Sequence, residues 1–211
     1  MGREPTRRRR LWRDWRNSEE YQTGNDSALS HEPTGDREMD AWLDRLEKEI
    51  EETTVELRDS DWSRAPEQRW NSAQIMEHLG RTYGTTAKML ELSMGTGSPQ
   101  LRAATFSERL KKLLVVNLGV LPSGADAPPM VTPKGDPGPV ALERALANLK
   151  RLDAAIAAAE ERWGGMKPVA MHPILGPLNP REWRKFHYIH GHHHLLQIRK
   201  RLEYKAEGVN R

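Results

Sequence analysis

The sequence predicts an all-α fold: a four-helix bundle with one short extra helix and a disordered N-terminal tail. Three observations lead there. Apolar residues recur at threes and fours through four long stretches. Capping signals stand at the starts of several of them. No stretch alternates apolar and polar residues as a half-buried strand would. The 211 residues suffice for one domain of ordinary size and a tail.

Residues 1–38 carry Pro5, Gly24, Pro33 and Gly35 among polar residues and read as a disordered extension. Arg3, Arg7, Arg8, Arg9, Arg10, Arg13 and Arg16 make its start strongly basic, and acidic residues from Glu19 to Glu38 offset them within a net charge of +3. A nucleic-acid or anionic-lipid arm is the functional reading of that run. A solvated tail is the plainer one, so nucleic acid is not an expected partner.

The first helix is expected over 39–57, where Met39, Trp42, Leu46, Ile50, Thr53 and Leu57 form an amphipathic stripe. Residues 59–69, with Pro66, read as a loop. A second helix starts near Ser72, with Asn71 as N-cap and Gln74 placed to complete a capping box. Ile75, Leu79, Thr82, Thr86 and Leu90 make its inward stripe, His78 lies on the same side, and Gly95, Gly97 and Pro99 end it. Thr105 and Glu108 open a shorter helix over 106–118. Residues 119–139 hold four glycines and six prolines, a long irregular loop expected to line the entrance to a site. A third long helix, rich in alanine and leucine, runs over 140–163 until Gly164 and Gly165 stop it. Residues 171–178 read as a turn-rich connector. The last helix opens on Asn179, Pro180 and Glu182 and runs to about 204, leaving 205–211 as a C-terminal tail.

That last helix carries five of the eight histidines: His187, His190, His192, His193 and His194. At about 100° per residue, Trp183, His187, His190, His194, Gln197 and Arg201 form one stripe. Phe186, Ile189 and Leu196 flank it on one side and Leu195, Ile198 and Leu202 on the other, while Arg181, Lys185, His192, Arg199 and Glu203 face away. A polar stripe bordered by apolar residues belongs in a bundle interior, where an unsatisfied polar group costs about 1–3 kcal/mol. A divalent metal would satisfy several imidazoles at once, and three histidines with an open position is the pattern of a catalytic zinc site. His190 and His194 are the first candidates, and His78 is the natural third, although taken alone it reads as an ordinary partly buried histidine. A hydrogen-bonded network without metal and a fortuitous cluster are the competing readings. Gln197, His193 and His172 are candidates for a supporting layer around such a site, with His187 at the stripe's margin. Glu77, beside His78, points elsewhere on its helix and is not assigned as a base.

The chain contains no cysteine, which excludes disulfides, thiolate ligands and a cysteine nucleophile, and fits a reducing cytoplasm, the expected location. No run approaches the roughly 18 apolar residues of a membrane span, so no membrane partner is expected.

The segment Trp70-Asn71-Ser72-Ala73-Gln74-Ile75-Met76-Glu77-His78-Leu79 resembles the corresponding stretch of the DinB-like superfamily, which includes the YfiT-like metal-dependent hydrolases. His172-Pro173-Ile174-Leu175-Gly176-Pro177-Leu178, then Trp183, then His190 to Gln197, resembles one branch of it classed as a domain of unknown function. The similarity spans about residues 39–204. It implies an up-down four-helix bundle with a metal site made by His78, His190 and His194. Zinc or nickel is implied as the metal, and some relatives are transferases or isomerases using a low-molecular-weight thiol. His192 departs from the pattern, standing where this branch often has an acidic residue. The expectation is therefore a metal-dependent hydrolase or thiol-dependent transferase acting on a small-molecule substrate. A non-catalytic metal- or small-molecule-binding helical bundle is the alternative, and a homodimer is left open.

Overall fold

The computed structural model describes residues 37–66, 68–121 and 127–203. The basic run expected at the N-terminus and the tail expected over 205–211 lie outside the described residues. Arg37 is ion-paired with the buried Asp153.

The fold is mostly helical. Helix α1, Ala41–Thr54, begins where the Asp40 carboxylate accepts from the Trp42 N–H. It buries Leu43, Leu46 and Ile50. It is shorter at both ends than its periodicity suggested. Asp40 caps it, and beyond Thr54 the chain turns out so that Val55 is largely exposed. Helix α2, Asp59–Trp62, occupies part of the expected loop and buries Trp62. One turn is too short for a period to register in sequence.

Helix α3, Ser72–Gly95, starts with the expected capping box: Asn71 Oδ1 accepts from the Gln74 N–H at 2.8 Å, and Gln74 Oε1 accepts from the Asn71 N–H at 3.0 Å. Helix α4, Phe106–Lys112, is capped by Thr105 and Glu108 and passes into a π-helical turn, Leu113–Asn117. A strap over 127–137 follows, holding a 3-10 turn at Pro129–Val131. Helix α5, Gly138–Trp163, starts two residues earlier than expected and stops at Gly164.

Strands β1, Ala170–His172, and β2, Gly176–Leu178, pair antiparallel, with Met171 opposite Pro177. This hairpin corrects the reading of 171–178 as a connector without strands. Three residues per strand give no alternation to detect. Helix α6, Pro180–Glu203, opens on the Asn179–Glu182 capping box, each partner accepting at 2.9 Å.

Helix α3 packs along α5, and α1 along α6; α6 also touches α3 and α5. Small residues let α3 and α5 approach: Ala141 and Ala145 are buried, and the Asn148 amide donates to the Gly80 carbonyl at 2.9 Å. The core lies between these helices, around Leu46, Leu79, Tyr83, Leu149 and Trp183. Among the described residues, no helix is long and apolar enough to cross a membrane.

Candidate metal centre

His78, in the second turn of α3, meets His190 and His194 on the facing side of α6. His78 Nε2 lies 3.3 Å from His190 Nε2, which lies 3.1 Å from His194 Nε2. All three atoms fall within 4.8 Å of one another, a group able to accept a metal ion, and no carboxylate of the described residues belongs to it. His78 is buried, whereas His190 and His194 are part-exposed. Trp70 and Phe186 pack on the cluster, with ring centroids 5.1 Å from His78 and 5.6 Å from His190.

Hydrogen bonding decides which nitrogens point inward as lone pairs. His78 Nδ1 lies 2.8 Å from the Val131 carbonyl oxygen. A carbonyl only accepts, so this Nδ1 carries the proton and Nε2 presents its lone pair. Gln197 does the same for His194. Its Oε1 accepts from Nδ1–H at 3.1 Å while its amide nitrogen donates to His193 Nε2 at 3.0 Å. His190 Nε2 carries at most one proton and can satisfy one of its two neighbours. At least one of the two nitrogen–nitrogen contacts is thus left without a hydrogen bond, its lone pair unsatisfied unless a cation lies between.

Protonation does not relieve it. Burial, then the neighbouring His194 and His78, holds the His190 imidazole well below its ordinary value. Burial and His78 lower His194 to about 3. Burial also lowers His78, with Arg81 adding to it and the Val131 bond opposing. All three are neutral near pH 7, the form that binds metal. Nitrogen ligands at about 2.0–2.1 Å in tetrahedral geometry stand about 3.3 Å apart; the two separations that involve His190, 3.3 and 3.1 Å, are close to that, and the whole set lies within 4.8 Å.

A family model described as a protein of unknown function (DUF1569) matches residues 36–201. The chain belongs to the DUF1569 family. No curated protein and no solved structure matches it.

In this DUF1569 protein the remaining sequence-predicted residues divide. Gln197 joins the cluster through His194 and links it to the part-exposed His193. His172 stands apart from the three. Its Nδ1 accepts from the Ile174 and Leu175 N–H groups at 3.1 Å, capping the hairpin turn. Its ring packs on Phe186 with centroids 4.5 Å apart. His187 is fully buried behind the cluster, stacked on Trp183 at 5.7 Å and edge-on to Tyr83 at 5.6 Å. Among the described residues neither of its ring nitrogens has a hydrogen-bond partner, and burial lowers its pKa to about 3. His192 is less open than its place on the outer face suggested. Its Nδ1 lies 2.7 Å from Glu49 Oε2, and Glu49 also accepts from the Tyr188 hydroxyl.

Val131 and Glu77 were missed as contributors. Val131 acts through its backbone carbonyl, which no side-chain pattern announces. Glu77, not assigned as a base, has a buried carboxylate that accepts from the strap N–H groups of Lys134, Gly135 and Asp136. The signal available was the loop's Gly135-Asp136-Pro137 turn chemistry following a carboxylate adjacent to His78.

Proposed function

We propose that this protein is a metal-binding member of the DinB-like superfamily, with 39–204 folded as an up-down four-helix bundle. His78, His190 and His194 hold one divalent cation, zinc or nickel, for hydrolysis of a small-molecule substrate or transfer of a low-molecular-weight thiol to it. The observation that carries this reading is the convergence of three neutral imidazoles whose Nε2 atoms share at most one proton. The four long helices and the resemblance of the Trp70–Leu79 segment support the superfamily assignment.

Three protein ligands without a carboxylate leave coordination positions for a substrate or nucleophile, as catalytic sites require. The ion supplies Lewis acidity that lowers the pKa of a water or thiol at the site toward neutrality. Val131 and Gln197 hold His78 and His194 in the tautomers that direct Nε2 inward. Trp70 and Phe186 shield the imidazoles from water on their flanks.

Metal analysis of protein grown with zinc and nickel tests the reading. The wild type should carry about one equivalent, and His190→Ala and His194→Ala should each lose most of it. A wild type without stoichiometric metal would sink the proposal; undiminished metal in both variants would sink the ligand assignment. Ester and amide hydrolysis, and thiol addition to electrophiles, should then be screened with and without chelator. Bound metal without chelator-sensitive turnover in either screen would favour the non-catalytic alternative.

A further inference from the structure

Three side chains from little more than one turn of α3 grip the strap that follows α4. His78 Nδ1–H donates to the Val131 carbonyl at 2.8 Å. Arg81 Nη2 donates to the Met130 carbonyl at 3.0 Å. The Glu77 carboxylate accepts three successive backbone N–H groups: Lys134 at 2.7 Å, Gly135 at 2.9 Å and Asp136 at 3.0 Å. Glu77 is 1% exposed, with Arg81 Nη1 at 3.8 Å as its nearest cation. Successive N–H groups converge on one anion only where the backbone makes a concave turn. Gly135 supplies it at φ 102°, a conformation costly for residues with a side chain. The anchor therefore depends on both partners, a buried carboxylate on α3 and a glycine in the strap.

We propose that Glu77 is a positioning residue of the metal centre, acting through the strap on His78. The carboxylate fixes 134–136, which sets the place of the 3-10 turn carrying Val131. The Val131 carbonyl in turn fixes the His78 tautomer and ring, hence the aim of its Nε2. Strap order and cation affinity are then coupled, and the coupling is reciprocal: a cation held by His78 must also tighten the strap. This rests on the three-histidine metal reading above.

Cobalt(II) titration of the full chain, followed by its visible absorption, tests the proposal together with amide hydrogen exchange at 134–136. In the wild type, cobalt should bind and slow exchange in the strap. Glu77→Gln keeps the size but sets an amide NH₂ against backbone donors. It should weaken cobalt binding about 10- to 100-fold, alter the absorption bands, and leave the strap exchanging fast with or without cobalt. Gly135→Ala perturbs the strap from its own side. A Cβ there meets nothing within 4 Å, so only the backbone conformation is strained. It should shift cobalt affinity in the same direction without touching α3, which keeps the test decisive if Glu77→Gln folds poorly. Wild-type cobalt affinity and spectrum in Gly135→Ala and in folded Glu77→Gln would overturn the proposal, as would a wild-type strap whose exchange ignores cobalt. A wild type that binds no cobalt would instead overturn the metal reading, and this inference with it.

Discussion

At the residue scale, the five histidines of α6 divide among four environments. His190 and His194 meet His78. His193 accepts from Gln197's amide and packs edge-on to His194, His192 pairs with Glu49, and His187 is buried against aromatic rings. His187 bears directly on stability. Its native pKa of about 3 lies below the 6.5 of an unfolded histidine. Between those values the unfolded chain binds a proton that the folded chain does not, so stability falls as pH drops from about 6.5 toward 3. One such group contributes up to about 1.4 kcal/mol per pH unit within that window. His187→Leu, similar in volume and without the two unpartnered nitrogens, should flatten this dependence and raise stability at pH 5 relative to wild type. Urea denaturation at pH 5 and pH 7.5 measures it. An unchanged difference between the two pH values would show that His187 is not the group responsible.

At the element scale, the capping boxes of α3, α4 and α6 were legible because each is a local exchange of two hydrogen bonds over four residues. Helix α2 and the hairpin were not, being shorter than any periodic signal. The stripe on α6 was legible because helical geometry fixes which side chains share a face. How closely its neighbours approach was not. Gly191, between the two clustered histidines, shows the difference. A Cβ there would sit 2.5 Å from Leu46 Cδ1 and 2.9 Å from the Tyr83 hydroxyl. Gly191→Ala would gain about 1 kcal/mol in helix propensity. The overpacking, typically about 1–3 kcal/mol, sets α6 away from α1 and α3, so the net effect should be destabilising. A denaturation midpoint equal to or above that of wild type would contradict the close packing.

At the scale of the whole molecule, α3 and α6 carry the cluster's three histidines from positions more than a hundred residues apart. A cation joining them would oppose unfolding. A ligand at 100 times its dissociation constant stabilises by about 2.7 kcal/mol, roughly 5–10 °C in midpoint for a domain of this size. Zinc at that excess should raise the wild-type Tm by that amount and leave His190→Ala nearly unmoved. Calorimetry of both proteins with zinc or with chelator measures the difference, and equal shifts would place the zinc elsewhere.

The sequence by itself determined the helical character, the starts of α3 and α6, and the inward faces on which His78, His190 and His194 stand. Each of these follows from spacing within one helix, and side-chain period is local physics. Only the tertiary structure decided what surrounds the three imidazoles. The strap's return to α3, the Val131 carbonyl behind His78 and the seat of Glu77 all depend on backbone groups. Every residue but proline carries the same N–H and C=O, so their long-range partners leave little trace in residue type until the chain has folded.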